Sequence, residues 1–362
     1  MDEELVTKNK GEWSEFYVFL KILSERRLIP ADSDLNPVLE NALPVLKIYR
    51  EETSGKISTY DISSQPSKIL IYLSEKDEPG IIDSGLISSK LATIFSKINT
   101  GILVDPDRDE LMKTLKCSVF RAMPGGSKED IKMVIHDPVT AQSRDMSYSI
   151  KSQVGSPSTL LNASNATNFI YEVSYPDINL EELNLLKGAG KIVGTVNSKN
   201  GSLKFVGVNN DTFNQNMELI DYLFPEIMAY LLQIYYSSSR LSKISEIVES
   251  LDNQFVLPIS GRTVKKSEII FKLKTFLVAI ALGMTPSKEW NGNLSANGGY
   301  LIVKTDGSVL CYHIFNLDSF KEYLFNTTKF EKGSETRHKY GKIYNINDRH
   351  FINLNLQIRF LK

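Results

Sequence analysis

The segment that decides the fold, Ser127–Gln153, reads SKEDIKMVIHDPVTAQSRDMSYSIKSQ. Apolar and polar residues alternate over 131–136 and again over 146–153, and this alternation is typical of half-buried strands. Asp137-Pro138 and the polar run after it separate the two stretches, as loop residues do. The segment therefore predicts a β-hairpin within a sheet.

Two charged residues mark the ends of this hairpin. Asp130 opens the first predicted strand and Lys151 stands late in the second, so pairing would bring both to one end of the sheet. A carboxylate can hold a divalent cation and a lysine can position and activate water, which suits metal-dependent cleavage of a phosphodiester. Strand ends also carry charges simply because they are solvated. The pair alone does not decide between these interpretations.

Length and composition are those of a globular chain. The 362 residues suffice for one large domain or two ordinary ones. The N-terminus has no secretory signal, and the longest apolar run, Phe276–Met284, is too short to span a bilayer. Two cysteines support no disulfide scaffold, so we expect a cytoplasmic protein without membrane contact. With a net charge of −1, any binding of nucleic acid must depend on local patches.

A predicted N-terminal helix carries two glutamates. Apolar residues from Trp13 to Leu23 form a broad helical stripe, and Glu12 and Glu15 lie in its first turn. The helix dipole favours carboxylates there, which is one explanation. Glu15 stands between Trp13 and Phe16, however, so we expect it to be partly buried. A partly buried carboxylate needs a partner, and a metal ion is one candidate.

The remaining chain predicts mixed strands and helices. We expect strands at 45–49, 59–62, 69–73 and 118–123, and hairpins of 192–196 with 203–208 around Asn200-Gly201, 300–304 with 308–315, and 341–346 with 351–360. We expect helices at 86–98, 107–115, 217–236, 241–251 and 267–282.

Polar and basic segments provide candidates for contact with nucleic acid. No charge occurs between Lys151 and Glu172, and the hydroxyl and amide side chains there could bind phosphates or base edges or form an ordinary loop. Basic loops at 261–266 and 337–339 could contact phosphates, or face solvent and protect a sheet edge. The candidates are Lys10, Ser152, Ser156, Ser158, Thr159, Asn162, Asn165, Arg262, Lys265, Lys266, Arg337, His338 and Lys339.

Several enzyme classes lack their motifs in this chain. There is no Gly-x-Gly-x-x-Gly, no phosphate-binding loop ending in Gly-Lys-Ser and no Gly-x-Ser-x-Gly, which argues against hydride transfer, kinase and serine hydrolase functions. The four histidines show no close metal-ligand spacing. His136 and His313 lie in strand patterns, and we expect them to be packed or hydrogen-bonded.

Six short segments resemble a known family. Gly11-Glu12-Trp13-Ser14-Glu15, then Asp130, then 149–153 resemble the conserved elements of PD-(D/E)XK nucleases. NKGEWSE, IKMVIHDP, SIKSQ, GSPSTLLNAS, ATNFIYE and the closing NLQIRF are similar to the HpaII-type restriction endonucleases over nearly the whole chain. The resemblance implies an α/β fold: a PD-(D/E)XK restriction-endonuclease-like mixed sheet flanked by helices, with additional helical and β-rich C-terminal parts. It also implies a nuclease core in 1–210 and a DNA-binding or dimerisation region in 211–362, or one continuous domain.

The resemblance also implies the site residues and the cofactor. Asp130 and Glu15 would hold Mg²⁺, which Mn²⁺ can replace, with Glu12 as the second and Asp137 as the third choice in place of Glu15. The carbonyl of Ile150 and the hydroxyl of Ser149 would complete the shell. Lys151 would orient or deprotonate the attacking water, and Gln153 would orient water or touch DNA. Ser149 departs from the family pattern because a carboxylate usually stands there, and a hydroxyl is a weaker ligand for a hard cation.

The implied substrate is double-stranded DNA cut at a short palindrome, CCGG in the member that names the family, with 5′-phosphate products. A homodimer or successive nicking would cut both strands, and a cognate cytosine methyltransferase would be the functional partner. Two alternatives are a nuclease of the same fold that acts on junctions or in repair, and a DNA-binding protein without catalysis.

Overall fold

This computed structural model describes residues 10–52, 55–74, 77–101, 105–118, 128–174 and 179–362. The predicted turn Pro124-Gly125-Gly126, and the predicted strand at 118–123 apart from Ser118, lie outside the described residues. The described helices are α1 Lys10–Glu25, α2 Ser84–Thr100, α3 Pro106–Thr114, α4 Leu180–Leu185, α5 Ala189–Ser198, α6 Asp211–Glu218, α7 Phe224–Ser237, α8 Ile244–Glu249, α9 Lys266–Leu282, α10 Leu317–Thr327 and α11 Glu335–His338.

The described strands form four sheets. They are β1 Arg27–Pro30, β2 Leu43–Glu51, β3 Ile57–Asp61, β4 Lys68–Tyr72, β5 Gly80–Asp83, β6 Ile131–Asp137, β7 Gln142–Ser152, β8 Thr159–Leu161, β9 Asn168–Ser174, β10 Ser202–Val208, β11 Gln254–Val256, β12 Thr263–Lys265, β13 Gly299–Val303, β14 Val309–His313, β15 Thr328–Phe330, β16 Ile343–Ile346, β17 Arg349–Asn355 and β18 Ile358–Phe360.

The predicted central hairpin is confirmed as β6 and β7, which pair from Ile131 opposite Tyr148 to Asp137 opposite Gln142. They lie within a nine-stranded sheet of order β1-β14-β13-β7-β6-β2-β3-β4-β5. β13 runs parallel to β7, whereas β6 is antiparallel to β7, so the sheet is mixed. Because side chains alternate along a strand, Ser149 and Lys151 extend from the face of β7 opposite to that of the buried Tyr148 and Ile150.

The expected mixed α/β architecture is confirmed, but the large sheet has a closure that the sequence did not indicate. β1 pairs with β14 on one side and with β2 on the other. This pairing closes β1, β14, β13, β7, β6 and β2 into a ring, while β3, β4 and β5 extend beyond it. Assignment to the PD-(D/E)XK fold stays a prediction.

α1 packs against the large sheet with an almost wholly apolar face. Phe16, Phe19 and Leu20 are fully buried, and the Phe19 ring meets the ring of Tyr60 on β3 edge to face at 4.9 Å. Burial of each such side chain contributes about 1.5–3 kcal/mol. The apolar stripe read from the sequence is therefore the contact that fixes α1 on the sheet.

The chain folds into two compact units. The first comprises 1–158, 294–320 and residue 362, and the second comprises 159–293 and 321–361. In the second unit, the four-stranded sheet β10-β9-β17-β16 is covered by α7, whose Ala229 carbonyl accepts a hydrogen bond from Tyr171. The functional division at residue 210 stays a prediction, because compact packing does not assign function.

The predicted hairpin around Asn200-Gly201 is wrong. Residues 192–196 belong to α5, in which Ile192, Val193 and Val196 are buried at helical spacing. Asn200 takes a left-handed conformation with φ 61°, and the Gly201 amide donates to the Val196 carbonyl at 2.9 Å. Asn-Gly therefore ends a helix here, as it does in many helices. The β-branched residues suggested a strand, but burial of one helical face outweighed that preference.

Another predicted element is divided. The helix expected at 217–236 is split into α6 and α7, with Pro225 in the first turn of α7. Proline lacks an amide hydrogen and starts a helix more readily than it continues one. None of the helices in the described ranges is both long enough and apolar enough to cross a bilayer.

Gly299 provides a test of the fold. Its φ is +120°, and a Cβ atom there would lie 2.0 Å from the Tyr312 carbonyl oxygen on β14. We expect Gly299→Ala to lower the free energy of unfolding by at least about 2 kcal/mol, because backbone must move. Denaturant unfolding measures this effect. Gly194→Ala in α5 is the matched control: its Cβ would meet nothing within 4 Å, and alanine should stabilise the helix by up to about 1 kcal/mol. Equal effects of the two substitutions would contradict this description.

His313 provides a pH test. It is 3% exposed and accepts a hydrogen bond from the Phe315 amide at Nδ1, which confirms the expectation for this residue. Burial lowers the pKa of His313 to about 4, against a smaller opposing effect of Asp137. The unfolded chain therefore binds a proton below about pH 6.5 that the folded chain excludes. As the pH falls from 6.5 to 4, we expect His313 to remove up to about 3 kcal/mol of stability.

Urea unfolding of the wild type and of His313→Gln at several pH values isolates this contribution. The variant should be less stable at pH 7, and the difference should narrow towards pH 4. A difference that does not change with pH would contradict the assignment.

Candidate active site

Asp130 is held against the end of β7 by three hydrogen bonds. Its amide donates to the Tyr148 carbonyl at 2.9 Å. Its Oδ2 accepts from the Ile150 amide at 2.6 Å and from the Ser149 hydroxyl at 3.1 Å. No described residue donates a hydrogen bond to Oδ1. The carboxylate is thus fixed through one oxygen and can use the other for a ligand.

The main chain of β7 adds a second oxygen at the same edge. The amide and carbonyl of one strand residue point to the same side, so the Ile150 carbonyl faces Asp130, as its amide does. The alternate residues of this segment form their backbone hydrogen bonds with β13 instead. The Gln153 amide, for example, donates to the Val303 carbonyl at 2.8 Å. The Ile150 carbonyl therefore points to the Asp130 side of β7. The predicted ligand role of Ile150 is compatible with this orientation.

Ser149, the position at which the sequence resemblance leads us to expect a carboxylate, supports Asp130. It is 1% exposed, and its hydroxyl donates to Asp130 Oδ2. A carboxylate at this position would stand beside Asp130 and repel it. Serine at position 149 therefore avoids a second carboxylate beside Asp130 and gives Asp130 a hydrogen-bond donor.

Two ammonium groups belong to the same site. Lys151 is half-buried, and its Nζ lies 5.9 Å from the ring centroid of Tyr300 on β13. Lys128, also half-buried, precedes Asp130 by two residues. Burial and, to a smaller extent, the charge of Lys151 lower the pKa of Lys128 to about 8, and Asp130 opposes both. The charges of Asp130 and Lys151 therefore both act on Lys128.

Our sequence prediction missed Lys128. Its spacing from Asp130 is that of residues on one face of a strand, and this was the available signal. The segment before it ends in Gly-Gly-Ser, which gave no indication that the side chain would be half-buried.

The first part of α1 lies close to the loop after β7. Lys10 donates to the Asn99 carbonyl at 2.9 Å, and a Cβ atom on Gly155 would lie 3.2 Å from Lys10 Cδ. Gly155 also has φ +93°, a backbone conformation that favours glycine, and any larger residue would crowd Lys10. Glu15 is half-buried about one and a half turns beyond Lys10. Its role as a second metal ligand stays a prediction.

The described residues contain no group of three or more His, Cys, Asp or Glu that could hold a metal ion. Any ion at Asp130 would therefore need main-chain oxygen, water or phosphate as further ligands. Mg²⁺ is commonly held in this way, by one or two carboxylates with water and substrate phosphate. Asp137, a lower-ranked candidate ligand, lies at the other end of β6, more than about 20 Å along the strand from Asp130. It cannot share an ion with Asp130.

The predicted DNA-contacting residues differ in their environments. Ser156, Asn162, Asn165, Arg262, Lys265, Arg337 and Lys339 are exposed. The Lys266 ammonium lies 3.5 Å from the carboxylate of Glu249 and 3.0 Å from its carbonyl oxygen.

Two of the predicted serines form hydrogen bonds at the end of β7 and in the loop after it. The Ser152 hydroxyl accepts a hydrogen bond from the Val154 amide, and the Ser152 carbonyl accepts one from the Ser158 hydroxyl. Thr159 and His338 are half-buried, and Gln153 is exposed.

Comparison with known proteins gives first the class and then the family. Residues 9–360 match the family model described as HpaII restriction endonuclease. The chain is 39% identical over 365 residues to "Type II restriction enzyme HpaII" of Haemophilus parainfluenzae, with 99% of each chain covered. No solved structure gives a significant match.

These matches define a type II restriction enzyme, a site-specific endonuclease. The chain belongs to the HpaII restriction endonuclease family. The resemblance read from the sequence is confirmed at the level of this family. The finding favours a restriction enzyme over the junction or repair nuclease and over the DNA-binding protein without catalysis.

Proposed function

We propose that this restriction enzyme hydrolyses double-stranded DNA at the end of the β6–β7 hairpin, with Mg²⁺ as cofactor and Mn²⁺ as a substitute. One observation carries the proposal: the Asp130 carboxylate is fixed on β7 through Oδ2 and keeps Oδ1 for a ligand, and the Ser149 hydroxyl that binds it lies on the same face of β7 as Lys151. An acidic oxygen and an amine at one strand end are the groups that cleavage of a phosphodiester requires.

Each residue has a distinct role in this proposal. Asp130 through Oδ1, Glu15 and the Ile150 carbonyl would hold Mg²⁺, whose charge offsets negative charge on the phosphate. Ser149 and the Ile150 amide orient the Asp130 carboxylate. Lys151 orients the attacking water and takes part in removing its proton. Gln153, one residue beyond the end of β7, orients water or touches DNA.

Hydrolysis forms a bond between the water oxygen and phosphorus and breaks the bond from phosphorus to the 3′ oxygen. The 3′ oxygen leaves with a proton, so the products carry a 5′-phosphate and a 3′-hydroxyl. We propose a short palindromic target, CCGG. Similarity to the relative named HpaII over 99% of both chains supports this target, because it includes every segment that could read bases.

One such site per chain cuts one strand at a time. We propose a homodimer on the palindrome, or successive nicking by one chain, and a cytosine methyltransferase that protects the host's own sites. A restriction enzyme of this kind acts in the cytoplasm, where incoming DNA arrives.

The decisive experiment is digestion of a sequenced plasmid with Mg²⁺, followed by sequencing of the fragment ends. The proposal predicts discrete fragments, CCGG at every end and a 5′-phosphate. Discrete fragments with another sequence would replace the target but retain the enzyme. Absence of cutting with both Mg²⁺ and Mn²⁺ would refute the proposal.

Lys151→Ala and Asp130→Asn test the assigned residues. Each should reduce cleavage by about 100- to 10,000-fold while DNA binding persists, because proton transfer or ion binding is lost. Asparagine retains an oxygen that can accept from the Ile150 amide, so the fold should remain intact. Rates on the plasmid and binding to a labelled duplex give the two readouts.

Lys132→Ala is the matched control for these variants. Lys132 lies two residues beyond Asp130 on β6, and its Nζ is 3.2 Å from Asp145. Its loss should leave the cleavage rate within a few-fold of the wild type. If Lys132→Ala abolishes cleavage and Lys151→Ala does not, the site has been placed wrongly.

A further inference from the structure

The end of the β6–β7 hairpin contains one more positive charge than the proposed roles use. Lys128 and Lys151 are both half-buried, and neither ammonium forms a hydrogen bond or ion pair with a described residue. Burying an ammonium without an acceptor is costly, and a second ammonium beside it adds repulsion. The negative charge of Asp130 partly offsets the positive charge of Lys128. The Oδ2 atom of Asp130, however, already accepts hydrogen bonds from two groups of β7. Among the described residues, therefore, no anion pairs directly with either ammonium, and an additional anion would offset their charge.

A phosphate group has the charge and the oxygens that this arrangement lacks. Two other half-buried lysines of the same unit have carboxylate partners: Lys90 pairs with Glu110, and Lys97 pairs with Asp105. Lys128 differs from them because its neighbour is a second lysine. An arrangement that places two cations together at a substrate-binding edge raises the affinity for an anion at the expense of stability.

We propose that Lys128 is a catalytic residue that binds a non-bridging oxygen of the scissile phosphate, while Lys151 acts on the attacking water. This inference rests on the proposed function and extends it. It also accounts for Ser149: a site that has lost one carboxylate holds less metal charge, and the Lys128 ammonium supplies positive charge to the reacting phosphate.

The test measures binding and cleavage of a duplex that contains the site found by plasmid mapping. Lys128→Met keeps the length of the side chain and removes its charge. With Ca²⁺ in place of Mg²⁺, binding is measured between about 50 and 200 mM salt. The slope of log K against log salt should fall in magnitude by about 0.9, the value for one lost phosphate contact. With Mg²⁺, cleavage should fall about 100-fold.

Stability separates a catalytic role from a structural one. Removal of a half-buried ammonium from beside Lys151 should leave Tm unchanged or raise it, whereas loss of a structural residue would lower it. Lys128→Gln serves the same purpose if the methionine variant does not fold. Lys68→Met is the matched control, since Lys68 pairs with Asp83 at 3.1 Å near the β5 edge of the large sheet; its salt slope should equal that of the wild type.

A neutral phosphate locates the contact. In the wild type, a methylphosphonate at the scissile position should weaken binding, and in Lys128→Met the same change should cost less. If the wild type cuts DNA but Lys128→Met retains the wild-type slope and rate, the inference about Lys128 is overturned and the proposed function stands. If the wild type cuts no DNA, the proposed function itself fails.

Discussion

The hydrogen bond from the Ile150 amide to Asp130 Oδ2 is the interaction on which the site depends. It draws the residue before β6 onto the end of β7 and sets the direction in which the carboxylate faces. A charge-assisted bond from a backbone amide to a carboxylate is strong. The Ser149 hydroxyl adds a second donor to the same oxygen. Every other proposed group is placed relative to this fixed carboxylate.

The position of this site follows from the sheet around it. β7 is central, with β6 antiparallel on one side and β13 parallel on the other, so its backbone is held from both sides. Buried Tyr148 and Ile150 on one face fix which residues appear on the other. α1 is held on the sheet by its aromatic face, and its first turn lies close to the loop after β7. Rigid elements thus position the polar groups, as precise sites require.

Sequence patterns predicted the parts of the fold that one strong local signal determines. The alternation over 131–136 and 146–153 gave β6 and β7, and Asp306-Gly307 gave the hairpin of β13 and β14. Asn200-Gly201 was misread because the same pair can close a hairpin or end a helix, and only burial of the α5 face distinguishes them. The ring closure through β1 depends on pairings distant in sequence, which no local pattern indicates.

The candidate site was predictable only where residue type and spacing sufficed. Asp130 and Lys151 follow from the hairpin itself. The support of Asp130 by Ser149 and the half-burial of Lys128 depend on side-chain directions and packing, which arise from the folded sheet. Family resemblance indicated the activity, and the structure shows the Ser149 hydroxyl donating to Asp130.

The most direct measurement is a crystal structure of the chain with its mapped duplex and Ca²⁺, which holds the complex uncut. The account predicts an ion within about 2.3–2.6 Å of Asp130 Oδ1, with the scissile phosphate between that ion and the amines of Lys128 and Lys151. A structure in which the ion and the scissile phosphate lie at another part of the surface, with Oδ1 facing only water, would contradict it.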